Sequence, residues 1–498
     1  MPVCVHRVPE GVETVYRKNA CVAIVVAAIL LAVSIPALAG ADSIPTPGEL
    51  LEAHIARHGL PGGAMAVYTP GEGLRLGAHG RAGPDRPMTP DTPLFIASIS
   101  KSLTAAAAMQ LVERGLLDLD EPVTTYLPGF RLAEPGAADG ITARHLLGHT
   151  SGISEGTYAP GVPGDASLAE AVADLGGART MAEPGEQFAY FNAGYAVIGL
   201  LIEEMSGMTY GEYMRREIFE PLGMDSTHTD LASARAAGLA GGYGFLFGRP
   251  IPREQDFSTR DLPAGFILST ARDMGHFLEA LLHGGGRGDR RILSSAGVAE
   301  MMRVEDGAPE SYGLGLVVRA EEGNRIVTHG GSLDNFSSQM VLLPGAGKGA
   351  VYLFNGNHLL YGMTAHGRLV DDIVDVLSGR APDPGIALGT VGNLLVVLYL
   401  LALAVAARDL IRLRRWRPDP RATTPERGWS VLGPALPLLG LWFLLPRAIA
   451  LVVGRALPWS LFFSLAPDVV LIILTTAAAG PMVALYRLAS YGREGATR

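Results

Sequence analysis

The chain has 498 residues, 48% of them hydrophobic and only 18% charged, with a net charge of −9 at pH 7. This composition excludes intrinsic disorder, the acidic balance argues against a nucleic-acid binder, and the apolar excess argues against a wholly soluble enzyme. Both cysteines, Cys4 and Cys21, fall near the N-terminus, so no disulfide framework or Cys-rich metal site is available further along.

Arg17 and Lys18 precede an uncharged run from Cys21 to Ile35, which Pro36 breaks ahead of Ala37-Leu38-Ala39. Residues 1–39 therefore read as a secretory signal peptide with an A-x-A cleavage site, or alternatively as an uncleaved anchor helix. Either one exports the segment that begins at residue 40. Residues 40–385 carry a net −17, against +1 before them and +7 after them. Within this acidic segment, Gly63–Tyr68 and Leu74–Gly80 predict two adjacent strands. Residues 98–115 predict an Ala-rich helix stopped by Gly115, and residues 193–206 predict another. Arg325–His329, Asn335–Leu343 and Ala350–Phe354 predict three successive strands, with a closing helix over 366–378. Strands at both ends with helices between them predict one α+β unit.

Residues 386–498 predict a membrane domain. Ile386 to Ala407 contains no charge and is long enough to span about 30 Å of hydrocarbon. Seven arginines follow, from Arg408 to Arg427, and the positive-inside rule puts that loop in the cytoplasm. Two further spans are predicted over about 429–446 and 466–486. The expected protein is thus a multi-pass cell-membrane protein whose 40–385 segment is extracytoplasmic and whose partner is the lipid bilayer. Asp468 reads either as an ionisable group inside the third span or, preferably, as the outer end of a shorter span starting near Val469.

The candidate chemistry begins with lysine, of which there are only three: Lys18, Lys101 and Lys348. Lys101 follows Ser98 by three residues, so on a helix the two share a face. A serine hydroxyl is a weak nucleophile until a neighbour takes its proton. Tyr190 and Asn192 stand two apart, so an extended segment turns a phenol and a carboxamide to one side. A phenol near a lysine ammonium can shuttle protons, and Asn192 can accept from Lys101 and donate to a substrate carbonyl. His329-Gly330-Gly331-Ser332 ends a strand, with His329 expected to face the cleft and amides available to an oxyanion.

Three other strings are weaker. His145 and His149 have an i, i+4 spacing, but no glutamate follows His145 as in a zinc-binding H-E-x-x-H helix. Gly152-Ile153-Ser154-Glu155-Gly156 matches the letters of a nucleophile elbow without the strand before it or the helix after it. Gly345-Ala346-Gly347-Lys348-Gly349 reads as a hairpin turn, since no Ser or Thr follows the lysine of a P-loop.

In order and spacing, Ser98-x-x-Lys101, Tyr190-x-Asn192 and His329-Gly330-Gly331 resemble the serine β-lactamase and penicillin-binding-protein superfamily, nearest its class C branch. His145–Gly152, Ile218–Met224 and Gly265–Asp273 also look like segments of that family. The resemblance covers roughly residues 46–380. It implies an antiparallel sheet flanked by helices beside a mostly helical subdomain, with the site between them. It also implies Ser98 as nucleophile, Lys101 as its activating partner, Tyr190 as general base and acid, and Asn192 as a substrate-positioning group. The backbone amides of Ser98 and Ser332 would form the oxyanion hole, with Gly330 and Gly331 on the substrate-binding strand, and no metal or organic cofactor is expected.

The implied reaction is acyl transfer through an acyl-enzyme on a small-molecule or peptide substrate. His329 stands where many members carry lysine before Thr-Gly, and a neutral imidazole holds a substrate carboxylate poorly. That favours esters, amides or amide-linked D-amino acids over a β-lactam or a D-Ala-D-Ala peptide, which stay as alternatives. A catalytically inactive binding module, and a tail acting as transporter or sensor, are further alternatives.

Overall fold

A computed structural model describes residues 44–303, 312–321, 324–382, 388–416 and 466–495, together with Phe443 and Arg447. The predicted signal peptide and nearly all of the second predicted span lie outside the described residues.

The first helix, α1 (Pro47–His58), starts where Thr46 and Glu49 close a capping box around Pro47, and it stops at Gly59 in the left-handed region. Strands β1 (Gly62–Thr69) and β2 (Gly73–Gly83) then pair, and β2 continues to the short β3 (Arg86–Pro87). A single 3-10 turn, Ala97–Ile99, leads into α2 (Ser100–Glu113), the predicted Ala-rich helix. Short helices follow, among them α3 (Ala193–Ser206), which matches its predicted span.

Next comes a hairpin, β4 (Tyr243–Leu246) and β5 (Arg249–Pro252), which no pattern in the sequence announces. Helix α4 (Ala271–Leu282) is capped by Thr270, whose hydroxyl accepts from the Asp273 amide. The last four strands are β6 (Val317–Glu321), β7 (Asn324–Ser332), β8 (Ser337–Leu343) and β9 (Lys348–Phe354). The predicted hairpin turn at 345–349 joins β8 to β9, with Gly347 at φ +63°. Helix α5 (Gly367–Leu377) closes the unit.

These strands form one antiparallel seven-stranded sheet in the order β6-β7-β8-β9-β1-β2-β3. The first and last long strands meet in its middle, where Ala66 faces Val351. Alternation along β1 divides the core between the two faces. Ala64 and Ala66 turn to the side of α2, α3 and α4, whereas Met65 and Val67 turn to α1 and α5. Alanine is required on the first side because α4 comes close: a Cβ on Gly275 would lie 2.9 Å from the Ala66 Cβ. The α+β expectation is thus met, with the edge strand β6 and the β4–β5 hairpin added to it.

In the tail, α6 (Leu388–Arg415) packs against α7 (Pro467–Gly495). Among the described residues one stretch, Gly392–Leu413 within α6, is long and apolar enough to cross a membrane.

Candidate active site

Ser98 lies in the 3-10 turn rather than inside α2, and its position depends on strain and close packing. Ala97, just before it, has φ +48°, a conformation costly for a residue with a side chain. The surroundings hold this turn from several sides. The Ile96 amide donates to the Ile267 carbonyl at 3.1 Å, and the Ser338 hydroxyl donates to the Ile96 carbonyl at 2.7 Å. Ser100 Oγ accepts from the Ile267 amide and donates to the Ala97 carbonyl. Gly331 completes the clamp: a Cβ there would fall 2.5 Å from the Ile96 carbonyl oxygen, so only glycine lets β7 lie this close to the nucleophile turn.

Lys101 is fully buried. Its Nζ donates to Ser98 Oγ at 3.2 Å, to Asn192 Oδ1 at 2.7 Å and to the Ala264 carbonyl at 2.7 Å. An ammonium has three protons, and each has one acceptor here. All three acceptors are neutral, so the charge of Lys101 remains available to stabilise an anion forming beside it. Tyr190 OH lies 3.1 Å from Ser98 Oγ, and Lys101 Nζ lies 4.8 Å from the centre of the Tyr190 ring. The predicted serine, lysine, tyrosine and asparagine thus converge on one point.

The reason for that convergence differs from the one expected. Asn192 is not in an extended segment: it has helical φ and ψ as the N-cap of α3. Its carboxamide is oriented by Glu155, whose Oε1 accepts from both the Asn192 amide, at 2.8 Å, and Nδ2, at 2.9 Å. With Nδ2 engaged there, Oδ1 faces Lys101. Glu155 has no signal of its own in the sequence, where its string stands out only for its serine. At Ser154 itself only the backbone is engaged: its amide donates to the Thr157 hydroxyl, which donates back to the Ser154 carbonyl.

His145 and His149 do not share a helix face. The helix there, Ala143–Leu147, ends first, and His149 has φ +60°. His145 Nδ1 accepts from the Thr142 amide, whereas His149 Nδ1 accepts from the Phe191 amide at 3.1 Å, with its ring centre 4.2 Å from that of Tyr190. The His149 carbonyl also accepts from the Ala189 amide. The 145–152 segment therefore holds the Tyr190 loop in place. No cluster of potential metal ligands is found among the described residues.

His329 is the principal correction. It does not open onto the cleft: its side chain is buried, Nδ1 bonds the Gly330 carbonyl and Nε2 bonds Tyr312 OH, both at 2.8 Å. Because a carbonyl only accepts, Nδ1 carries the proton and Nε2 accepts from the phenol. Burial first, and then the charge of Lys101, push its pKa down to about 3. Burial likewise drives His149 well below the ordinary histidine value, and Lys101 and His329 add to that. Burial raises the Tyr312 phenol well above its usual range. Lys101 thus sits among neutral rings. Tyr312 left no signal in the sequence, since a lone tyrosine before Gly-Leu-Gly carries no spacing to a partner. Farther along β7, Ser332 Oγ accepts from Asn357 Nδ2 at 2.8 Å.

An antiparallel sheet flanked by helices thus carries a serine bonded to a buried lysine and a tyrosine, an arrangement that can activate a serine hydroxyl for attack. Residues 48–374 match the family model described as Beta-lactamase, and the chain belongs to that family. It is 26% identical over 329 residues to Protein flp of Staphylococcus aureus, a match covering 64% of each chain. It is 28% identical over 356 residues to the unguisins hydrolase ungD' of Aspergillus campestris, covering 67% of this chain and 65% of that one. The chain therefore spans about two thirds of the length of the curated relatives it matches.

Among solved structures, the octameric penicillin-binding protein homologue of Pyrococcus abyssi aligns with a TM-score of 0.58 at 27% identity, covering 68% of this chain and 79% of that one. The D-amino acid amidase of Ochrobactrum anthropi aligns with a TM-score of 0.56 at 26% identity, covering 66% and 97%.

Proposed function

We propose that this protein is a membrane-anchored serine hydrolase that cleaves uncharged esters or amides, including amide-linked D-amino acids, through an acyl-enzyme on Ser98. The observation that carries this reading is the placement of Ser98 Oγ within hydrogen-bond reach of both Lys101 Nζ and Tyr190 OH. Tyr190 acts as the phenolate beside the Lys101 ammonium: it takes the Ser98 proton, becoming the neutral phenol, as Oγ attacks the substrate carbonyl carbon. Lys101 stabilises the negative charge on the oxygens beside it, and the amides of Ser98 and Ser332 receive the oxyanion. Tyr190 then gives the proton to the leaving group, and water enters to hydrolyse the acyl-enzyme by the same steps in reverse roles. The names of the Ochrobactrum amidase and the Aspergillus hydrolase support an acyl bond as target, and the sealed, neutral His329 supplies no cation at this end of β7 to hold a substrate carboxylate.

The test is a fluorophosphonate probe on the full-length protein. Labelling is expected at Ser98 and nowhere else, and Ser98→Ala should abolish it. A label that maps to Ser154, or that survives the substitution, removes the assignment.

The anchoring part of the proposal rests on α6, whose Leu394, Leu398, Leu400 and Leu403 are exposed, and on the arginines that follow. With three spans, residues 40–385 lie outside and the 408–428 loop inside. A cytoplasm-only reporter should therefore be active when fused after Ala422 and silent when fused near Gly385. The opposite pattern refutes this topology.

A further inference from the structure

Asp468 is the acid whose place the sequence left open. It lies in the first turn of α7, in the tail, yet it is fully buried. An acid rarely tolerates burial without partners, and here every partner bond but one is to the hydrolase unit. Asp468 Oδ2 accepts from the Phe247 amide at 3.0 Å, and Oδ1 accepts from His358 Nε2 at 3.1 Å. The remaining bond, from the Val469 amide at 2.8 Å, is within its own helix.

Phe247 forms the tip of the β4–β5 hairpin and has φ +50°, a conformation that needs outside support in a non-glycine residue. The tail supplies that support from two sides. Tyr399 of α6 lies 5.4 Å from the Phe247 ring centre, and a Cβ on Gly392 would come within 2.7 Å of Gly248 Cα.

From His358 the contacts lead inward without a break. The His358 amide donates to Asn357 Oδ1 at 2.9 Å. That bond leaves Asn357 Nδ2 directed at Ser332 Oγ, 2.8 Å away, and at the Leu333 carbonyl. Asn357 is also fixed by its own amide, which donates to the Tyr243 carbonyl of the same hairpin at 3.1 Å. The tail thus holds both neighbours of Asn357, His358 directly and β4 through the hairpin tip, and Asn357 grips the end of β7.

We propose that Asp468 is a positioning residue of the active site, acting through His358 and Asn357 on Ser332, so that docking of the tail helices sets the Ser332 end of the substrate strand. This rests on the hydrolase reading above, in which the Ser332 amide receives the oxyanion. A rigid donor matters most where charge develops, so the loss of Asp468 acts on the transition state more than on substrate binding.

The experiment uses the full chain in lipid nanodiscs. Asp468→Ala should lower kcat for an activated uncharged ester by roughly tenfold while KM stays near the wild-type value, a size usual for positioning contacts away from the chemistry. Asn357→Ala should give a similar loss, and the double variant should lose no more than either alone. Hydrogen exchange of the peptide that includes Ser332–Asn335 should rise in Asp468→Ala. That readout does not depend on turnover: if wild type neither turns over esters nor labels with fluorophosphonate, the hydrolase reading fails, while faster exchange still supports the tail-to-strand coupling. Unchanged kcat with unchanged exchange overturns the proposal. So does a fall in thermal stability alone, which would make Asp468 only an anchor. Fully additive losses would also overturn it, since they deny the route through Asn357.

Discussion

Lys101→Met is expected to lower kcat/KM for an uncharged ester by roughly a hundredfold to a thousandfold, the range lost when one pre-organised group that stabilises transition-state charge is removed. Methionine fills most of the lysine stem's volume, so packing around the buried position survives. What disappears is the ammonium that bonds Ser98 Oγ, Asn192 Oδ1 and the Ala264 carbonyl. Two effects on stability oppose each other. Removing a buried charge relieves its desolvation, whereas the orphaned acceptors cost on the order of 1–3 kcal/mol each. The melting temperature should therefore shift far less than the rate. Steady-state kinetics, fluorophosphonate labelling rate and thermal melting on one preparation check this. If turnover stays within tenfold of wild type and Ser98 labels at the wild-type rate, Lys101 is a structural cation and the mechanism loses its activating group.

His329→Lys is expected to raise the ratio of kcat/KM for a chromogenic cephalosporin to that for an uncharged ester by roughly tenfold to a hundredfold. A charge-assisted bond to a carboxylate contributes about 1.5–3 kcal/mol, which converts to that range. In wild type both ring nitrogens are engaged, by Tyr312 and Gly330, so neither is free for a carboxylate. The pH dependence gives an independent check. Histidine is about half charged near pH 6.5 in an open chain, but in the fold the His329 pKa lies at about 3. Its imidazole therefore stays neutral throughout pH 5–8, and the wild-type ratio should be flat there. A working imidazolium would instead make the cephalosporin ratio climb as pH falls through 6–7. Such a climb, or a ratio that the substitution leaves unmoved, removes His329 as the determinant of charge selectivity.

Much of this molecule is local and therefore legible from sequence. The strands β1, β2, β7, β8 and β9 declare themselves through alternation and bounding glycines, and α3 through an unbroken apolar run. Ser98 and Lys101 are three residues apart, so any helical turn brings them together, and their contact needs no knowledge of the fold.

The rest depends on groups that are distant in the chain. Asn192 meets Lys101 across 91 residues only because Glu155 turns its carboxamide and the His149 turn holds its loop. Nothing in a string of residues encodes that angle. Whether His329 meets substrate or is sealed against a phenol was decided by Tyr312 on the neighbouring chain segment, because burial and hydrogen-bond partners are properties of the packed molecule. Asp468 shows the same division most plainly. Sequence alone marked it as an acid at the start of an apolar helix. Only the tertiary structure gave it partners, 221 residues away at Phe247 and 110 away at His358, because a buried carboxylate must take whatever donors the fold brings to it.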